Sequence, residues 1–357
     1  MRLIADLLIG GDPRKVLAGA PANVFEHLKK LGVIVERGEE PALPVFEHAL
    51  DEDVLGDVAP SVRWHGQDFD PGTLVFNSGC HILSGEKGRA AARAIPFLYP
   101  ISGRRSSAWV QDSGTGARLV YALSREWTKC LIELREGRLS ARVLDPQRRA
   151  VLIHAGLLVP KGRSRTRKIE IERAVREARA SIRRDGYAVF RSALPPYFMA
   201  LLRRHYRRLR EEGFFAYDLE QVKRMRCYMH NESVTRFVHG QLCQLFGRAT
   251  GEAIMPSYSF VTEYFAGSRL PKHTDREQCE WNVTMLADPS PVFEGRDSWP
   301  LNLEVKGRPL PVHLNIGDAI IYQGVRTPHW RDRLEKDRTC KVALFHFVRR
   351  GFGASLD

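Results

Sequence analysis

The chain has 357 residues, a hydrophobic fraction of 43% and a formal net charge of +13. This length leaves room for two domains, or for one large domain with an extension, and the hydrophobic fraction is ordinary for a protein with a buried core. No run of about 18 apolar residues occurs, which argues against a transmembrane helix. The first residues include Asp6 and no clean cleavage site, so we interpret them as a structured N-terminus and not as a signal peptide.

The six cysteines are scattered along the chain, and no Cys-x-x-Cys pair occurs. This spacing argues against a disulfide framework and against a cysteine-based zinc site. We therefore expect reduced thiols in a cytoplasmic protein.

Charge is unevenly distributed along the chain. Residues 1–60 carry 6 Lys/Arg against 11 Asp/Glu, whereas residues 161–210, the basic belt, carry 16 Lys/Arg against 4 Asp/Glu. Such a belt can hold nucleic acid, an anionic leader segment or an acidic protein. The alternative is that it forms the solvated faces of arginine-rich helices. No aromatic-interleaved nucleic-acid motif accompanies the belt, so nucleic acid is an unfavoured partner.

The first 160 residues have the pattern of a separate α/β module. Residues 24–35 and 150–159 each combine a short helix, a glycine at the helix end and a short strand. This pattern is similar to that of small winged-helix-like modules, and we expect the module to bind substrate or a partner. Further strands are predicted at 73–76, 117–121 and 131–134.

A change of pattern follows at residues 161–168, which are polar, charged and without apolar periodicity, as expected of a linker. Apolar residues at helical spacing then predict a helix over 169–182. A turn at Asp185-Gly186 leads into a short strand that ends at Phe190. Two prolines open a long basic helix that continues to about Glu212.

The last hundred residues have the pattern of short strands separated by Gly, Pro and Asp. This punctuation favours an all-β barrel or sandwich such as a jelly roll. The sequence thus predicts an α+β protein whose C-terminal domain, residues 169–357, is a jelly roll flanked by helices. The predicted strands are 257–265, 280–287, 301–305, 310–314, 318–323 and 339–348.

Three residues within this region have the pattern of a metal site. His273 and Asp275 are two residues apart, and at period 2 on an extended segment both project to one face. Together with the distant His329 they match the two-histidine, one-carboxylate set that leaves coordination positions open on non-haem Fe(II). His313 and His346 are the competing candidates for the distal ligand. Histidines within apolar strands are more often hydrogen-bonded core residues.

Further features surround these three residues in order. Tyr264 lies on the strand before His273, the turn at Gly317-Asp318 leads into a buried strand, and Arg338 follows His329 by nine residues. The arrangement resembles the double-stranded β-helix of the Fe(II)/2-oxoglutarate-dependent oxygenases, with a triad like that of the prolyl hydroxylases. This resemblance covers roughly residues 170–350.

The resemblance implies Fe(II) bound by the three residues, with 2-oxoglutarate and O₂ as co-substrates. It implies that Arg338 binds the far carboxylate of 2-oxoglutarate, with Lys341 as the fallback, and that Tyr264 contributes a hydroxyl. A guanidinium suits that task because it grips a carboxylate with two hydrogen bonds and keeps its charge. The expected activity is hydroxylation of an unactivated C–H bond, and the presence of Asp275 argues against a halogenase.

The substrate is left open by the sequence. A peptide, a carrier-bound amino acid and a small natural product all fit. The alternatives are a non-catalytic β-sandwich that binds a partner, and a nucleic-acid demethylase that uses the basic belt. The candidate substrate-binding residues are Arg331, Arg333, Gln278 and Trp281.

Overall fold

The computed structural model describes residues 46–60, 69–85, 87, 106–217 and 226–356. These residues belong to one compact unit, which spans residues 44–357. The helix-glycine-strand segment predicted at 24–35 lies outside the described residues. In the described part of the chain, no helix combines the length and the apolar character that crossing a bilayer requires.

The part before residue 160 contains both strands and helices. Strands β2, β3 and β4 form an antiparallel sheet, and β1 pairs with β5. The predicted helix-glycine-strand segment at 150–159 is confirmed, because α2 ends at His154 and Gly156, with a φ of 75°, turns the chain into β5. The elements are β1 Leu74–Phe76, β2 Cys80–Leu83, β3 Ser106–Gln111, β4 Arg118–Leu123, α1 Arg125–Arg135, α2 Pro146–His154 and β5 Leu158–Pro160.

The strand predicted at 131–134 is wrong, because these residues lie in the helix α1. The Ser124 side chain accepts a hydrogen bond from the Trp127 amide and begins the helix. Cys130, Leu131 and Leu134 are buried, a spacing that places them on one helical face. A short apolar run is therefore ambiguous until its capping residue is considered.

The second part of the chain contains three long helices and the two larger sheets. It consists of α3 Arg163–Asp185, β6 Tyr187–Phe190, α4 Pro196–Glu211, β7 Ala216–Tyr217, β8 Arg226–His230, α5 Ser233–Thr250, β9 Ile254–Tyr264, β10 Leu270–His273, β11 Trp281–Ser290, β12 Leu301–Val305, β13 Arg308–Val312, β14 Ala319–Tyr322, β15 His329–Arg331 and β16 Thr339–Arg349.

The structure differs from the predicted linker at 161–168. Lys161 and Gly162 form a turn, but residues 163–168 are the first turns of α3. Part of their charge is paired: Arg163 binds Glu170, and Arg167 binds Asp112. This charged stretch is therefore the first part of a helix whose buried apolar residues begin at Ile171. A domain boundary near residue 160 stays a prediction.

Two antiparallel sheets form the core of this second part. The larger has the strand order β6-β14-β11-β16-β9-β8-β7, and the smaller has the order β10-β15-β12-β13. Both sheets contribute side chains to one cavity, so they face each other across it. The predicted α+β class is confirmed, and the paired antiparallel sheets are jelly-roll-like.

Strand periodicity decides which side chains of the larger sheet face that cavity. On β9 and β16 the even-numbered residues line it, among them Thr262, Tyr264, Val342 and Leu344. Odd-numbered residues such as Val261 point to the opposite face. The helices lie on that face, with α5 against β9 and α4 against β11.

Arginines of α4 belong to a buried group of charges, the α4 ion cluster, formed by Arg203, Arg207, Glu263, Asp288 and Lys341. Arg203 Nε donates to Asp288 Oδ1 at 3.0 Å, and Arg207 grips the same carboxylate with two nitrogens at 2.8 and 2.9 Å. Lys341 Nζ bridges Glu263 at 2.9 Å and Asp288 at 3.6 Å. These two arginines of the basic belt are therefore paired within the fold.

The same helix joins the part before residue 160 to the sheets. Arg204 and Arg207 both bind the carboxylate of Asp57. The buried Tyr197 hydroxyl donates towards the Ala49 and Asp51 carbonyls at 3.1 and 2.9 Å. The segment around residues 49–57 is thereby fixed against α4.

Candidate metal centre

The three predicted ligands lie together at the edge where β10 meets β15. β10 ends at His273 and β15 begins at His329, and the two residues are direct register partners. Their rings are 4.3 Å apart between centroids. Asp275 follows β10 by two residues, and one ligand atom from each of the three lies within 4.8 Å of the others. The sequence spacing therefore predicts residues that the structure brings together.

Both histidines are held in the tautomer that a metal ligand requires. His273 Nδ1 lies 2.8 Å from the Pro271 carbonyl, and His329 Nδ1 lies 3.0 Å from the Thr327 carbonyl. A carbonyl only accepts hydrogen bonds, so each Nδ1 carries the proton and each Nε2 keeps its lone pair. The two Nε2 atoms face Asp275 at 3.5 and 3.4 Å.

Asp275 is fixed by its backbone and by a second side chain. Its amide donates to the Gly324 carbonyl at 3.0 Å, and Asn282 Nδ2 donates to its Oδ2. Asn282 Oδ1 in turn accepts a hydrogen bond from His346 Nδ1. A Cβ on Gly324 would lie 2.5 Å from the Cys279 carbonyl, so this position tolerates only glycine without a shift of the backbone.

The charges of these groups suit a cation. Burial raises the pKa of Asp275, but His273 and His329 outweigh it, so the net pKa lies below the usual range and the carboxylate is ionised. Burial holds the pKa of His329 below its usual value, which keeps this ring neutral. Burial also lowers the pKa of His273, but the Asp275 carboxylate and the Pro271 carbonyl together outweigh burial and raise it overall. One anion and two imidazole nitrogens are the donor set that Fe(II) accepts.

The two alternative candidates for the distal ligand, His313 and His346, lie outside the cluster. His313 Nδ1 lies 2.9 Å from the Ser298 carbonyl, and His313 does not line the cavity. His346 does line the cavity, but its Nδ1 donates to Asn282, whose amide donates to Asp275, and His346 is not part of the cluster. It therefore supports a ligand and is not one.

The cluster opens into a cavity of about 610 Å³ between the two sheets. Exposure of the lining residues distinguishes its two ends: Tyr264, Tyr322 and Arg331 are buried, whereas Thr274 and Arg276 are exposed. The lining consists of Arg226, Tyr228, Tyr258, Phe260, Thr262, Tyr264, Leu270, His273, Thr274, Asp275, Arg276, Asn282, Thr284, Leu301, Tyr322, His329, Arg331, Val342, Leu344 and His346.

Arg331 places a positive charge at the buried end of the cavity. It is two residues after His329 on β15, so both side chains project from the same face. Arg331 is 3% exposed, its Nη1 donates to the Trp299 carbonyl at 2.7 Å, and its guanidinium lies 4.7 Å from the Trp299 ring centroid. Within the described residues its guanidinium forms no ion pair, so the cavity contains a buried cation without a carboxylate partner.

The two residues predicted to bind 2-oxoglutarate by charge lie elsewhere. Arg338 precedes β16, where it contacts Glu335 at 2.9 Å and the Asp297 carbonyl at 3.1 Å. Lys341 is an odd-numbered residue of β16 and therefore points to the helical face, into the α4 ion cluster. Neither residue lines the cavity, so both predictions are corrected.

Of the remaining predicted site residues, one lines the cavity and three do not. Tyr264 lines the cavity, as expected. Arg333 is exposed and does not line it. Gln278 donates to the Ser355 carbonyl at 3.3 Å, and the Trp281 indole donates to Glu252 at 3.0 Å, so both side chains point away from the cluster.

Sequence reasoning missed several lining residues. Asn282 and Thr284 on β11 and Tyr322 on β14 are buried, and each faces the cavity. Asn282 and Thr284 are two residues apart within an otherwise apolar strand, and this spacing places both polar side chains on the same face of the sheet. Arg226 and Tyr258 gave no such signal, because β8 was not predicted and Tyr258 is one of many aromatic residues.

Comparison with known proteins gives matches among solved structures. No protein-family model matches the chain, and no curated protein sequence does. The non-heme alpha-ketoglutarate-dependent epimerase SnoN from nogalamycin biosynthesis is 14% identical over 52% of this chain and 93% of its own, with a TM-score of 0.44. A Pseudomonas putida prolyl-4-hydroxylase is 15% identical over 50% of this chain and 100% of its own, with a TM-score of 0.41.

A third matched structure is an oxidoreductase of the 2OG-Fe(II) oxygenase family from Burkholderia pseudomallei. It is 12% identical over 51% of this chain and 93% of its own, with a TM-score of 0.40. Each of these three matches spans about half of this chain. Because these identities are low, the function of this chain has to be argued from the residues of its own candidate site.

Proposed function

We propose that the protein is an Fe(II)- and 2-oxoglutarate-dependent oxygenase, with His273, Asp275 and His329 as the iron ligands. The observation that carries this proposal is the cluster itself: two Nε2 lone pairs and one ionised carboxylate converge in a cavity. Nδ1 of each histidine is tied to a backbone carbonyl. Such second contacts orient ligands before the metal arrives.

Arg331 and Tyr264 are proposed to hold the far carboxylate of 2-oxoglutarate. The reason is electrostatic. A buried guanidinium without a counter-ion is costly, and a carboxylate of the co-substrate supplies the missing partner with paired hydrogen bonds. Trp299 connects the two residues, since it packs edge-on against Tyr264 at 5.1 Å and beneath Arg331. Arg331 thus takes the role that the sequence assigned to Arg338.

Bound iron would supply O₂ activation coupled to oxidative decarboxylation of 2-oxoglutarate to succinate. The chain's own residues position the reactants and exclude water. Leu301 and Tyr322 form a buried floor beside His329, with the Tyr322 ring 4.9 Å from the imidazole. The open end near Thr274 and Arg276 admits the substrate. Hydroxylation of a C–H bond in a peptide, a carrier-bound amino acid or a small natural product is the proposed outcome.

The experiment is to measure succinate formed from 2-oxoglutarate by the purified protein with Fe(II) and O₂. We expect turnover without added substrate, since oxygenases of this chemistry decarboxylate the co-substrate slowly on their own. Asp275→Ala is expected to abolish it. Succinate formation that is equal in both proteins would refute the assignment. With candidate substrates, a mass gain of one oxygen supports hydroxylation, and a loss of two hydrogens supports desaturation.

A further inference from the structure

His346 lines the cavity but is not part of the metal cluster. It lies on β16 two residues after Leu344, which also lines the cavity, and it is 7% exposed. Burial lowers the pKa of His346 to about 4, so the ring is neutral near pH 7 and only one of its two nitrogens carries a proton. The position of that proton decides what the ring offers to a ligand.

A chain of hydrogen bonds from Asp275 fixes the proton on Nδ1. The Asp275 carboxylate, as a proposed metal ligand, only accepts hydrogen bonds, so the Asn282 group that contacts it is the amide nitrogen. The Asn282 oxygen is then the atom that contacts His346 Nδ1, and this oxygen also only accepts. Nδ1 therefore carries the proton, and His346 Nε2 keeps its lone pair.

The Nε2 atom of His346 opens into the cavity. In the part of the chain that the structure describes, no group donates a hydrogen bond to this nitrogen, and the nitrogen is not sealed from solvent. A ligand that fills the cavity removes the water from this acceptor, and an acceptor left without a donor costs free energy. The nitrogen therefore favours a ligand that carries a hydrogen-bond donor.

The surroundings of this acceptor are mostly aromatic. The centroid of the His346 ring lies 4.5 Å from that of Tyr258 and 6.3 Å from that of Phe260, and both residues line the cavity. The Tyr258 hydroxyl already accepts a hydrogen bond from Arg276 Nε at 3.0 Å. An aromatic lining with a few placed polar groups is typical of small-molecule sites. This part of the cavity suits an apolar body with a donor group.

We propose that the substrate is a small, largely apolar molecule whose hydroxyl or N–H group donates a hydrogen bond to His346 Nε2, and that this bond selects which carbon faces the iron ligands. This inference rests on the proposed function, because it takes the cavity as the place where the substrate is oxidised. His346 then determines specificity with one nitrogen and positions Asp275, through Asn282, with the other.

Two pairs of probes test the donor requirement on the protein loaded anaerobically with Fe(II) and 2-oxoglutarate. Benzyl alcohol and N-methylbenzamide carry a donor, whereas methyl benzyl ether and N,N-dimethylbenzamide keep the ring and cannot donate. Ligand-observed NMR titrations give the dissociation constants. We expect a donor to bind about five- to tenfold more tightly than its partner, the range for one neutral hydrogen bond, and the pair with the larger ratio identifies the donor. Equal affinities within both pairs, or no binding of any probe, would overturn the inference.

Two substitutions separate the tasks of the two nitrogens. An asparagine amide reaches the position of Nδ1 but not that of Nε2, so His346→Asn should keep Fe(II) binding and reduce the donor preference to within about twofold, the scatter of such measurements. A glutamine amide reaches the position of Nε2, so His346→Gln should keep the preference and lower Fe(II) affinity by about tenfold, because Asn282 loses its partner.

His313→Asn is the matched control, since it makes the same change at a partly buried histidine outside the cavity lining. It is expected to leave the donor preference unchanged. A preference that survives in His346→Asn, or that is lost equally in His313→Asn, would overturn the inference.

The wild type alone also tests the inference, whether or not the variants fold. In metal-free protein labelled with nitrogen-15 histidine, we expect His346 to show a protonated Nδ1 and an unprotonated Nε2 near pH 7. Added benzyl alcohol should shift the Nε2 resonance more than methyl benzyl ether does. A protonated Nε2, or equal shifts with both probes, would contradict the proposed contact.

Failure of this inference is distinguishable from failure of the proposed function. Visible absorption of the anaerobic Fe(II) and 2-oxoglutarate complex is recorded on the same samples. If that absorption is present and the donor preference is absent, the substrate inference alone is wrong. If the absorption is absent, the titrations are repeated on the metal-free protein. A donor preference there that is lost in His346→Asn supports the contact while the proposed function fails, and no preference there overturns both.

Discussion

His273 and His329 are direct partners in the antiparallel pairing of β10 with β15, although 56 residues separate them in the chain. One sheet register therefore sets the distance between two of the three ligands. The backbone carbonyls of Pro271 and Thr327 then set the orientation of each ring. Two of the three proposed ligands are thus positioned by paired strands before any metal binds, and Asp275 follows one of these strands directly.

Replacing a ligand should remove metal binding. For His329→Ala we expect Fe(II) affinity to fall by more than about a hundredfold, beyond the loss typical of residues that only support a ligand. Anaerobic equilibrium dialysis measures the affinity. The control is His313→Ala, because His313 is a partly buried histidine outside the cluster and outside the cavity lining. Equal affinity in the two variants would show that the cluster does not bind the iron.

Asn282 should act through Asp275. Its amide holds the carboxylate oxygen, so Asn282→Ala frees Asp275 to rotate, and we expect Fe(II) affinity to fall by about ten- to a hundredfold. The matched control is Asn302→Ala, which removes another hydrogen bond from a buried asparagine to an aspartate, made with Asp332 at 2.9 Å. If Asn282 has only a structural role, both variants should lose similar stability and neither should selectively lose Fe(II) affinity. That result would contradict the positioning role of Asn282.

The longest strands were predictable from the sequence. Strands β9, β11 and β16 each have ten or more residues, most of them buried. Strand β10 has four residues and includes Pro271 and Lys272, and β15 has three residues and includes Arg331. Neither strand therefore shows the alternation of apolar and polar residues that predicts a strand. The sequence predicts the proposed ligands from their side-chain chemistry, and it does not predict the short strands β10 and β15 that carry the two histidines.

The residue proposed to bind the co-substrate shows why counting residues along the chain is insufficient. Arg338 is at a suitable number of residues after His329, but β16 begins only at Thr339, and the preceding loop takes Arg338 to Glu335 and Asp297. Arg331 is two residues after His329, so the sequence alone places both side chains on the same face of an extended strand. What the sequence did not show is which face of which strand borders the cavity.

Two substitutions test whether Arg331 or Arg338 binds 2-oxoglutarate. Arg331→Gln should raise the KM for 2-oxoglutarate by about ten- to a hundredfold, because a charged hydrogen-bond partner is lost. Arg338→Gln removes the same charge outside the cavity and should leave that KM within twofold, about the scatter of such measurements. Succinate formation at varied 2-oxoglutarate gives both values. The opposite order of effects would restore Arg338 as the co-substrate residue.

The α4 ion cluster predicts a pH dependence of stability. Burial raises the pKa of Asp288, but Arg207, Lys341 and Arg203 outweigh it, and the net pKa lies below the usual range. The unfolded chain therefore binds this proton more readily than the folded protein. The stabilisation is fully present above the unfolded value of about 3.9 and is lost as the pH falls through the folded value.

Asp288→Asn should consequently cost about 3–5 kcal/mol near pH 7, because it leaves buried cations without their carboxylate. The difference from the wild type should shrink as the pH falls below about 4. Urea unfolding across this range measures both effects. Asp297→Asn, a change at an exposed carboxylate, is the control and should differ little from the wild type at any pH. A penalty that stays constant with pH would contradict the assigned role of Asp288.

The most direct test of the metal assignment is the visible spectrum of the protein with Fe(II) and 2-oxoglutarate in the absence of O₂. We expect a charge-transfer band that requires both Fe(II) and 2-oxoglutarate and that disappears in His273→Ala. The same spectrum in wild type and His273→Ala, or no band in the wild type, would contradict an iron and 2-oxoglutarate site at His273, Asp275 and His329.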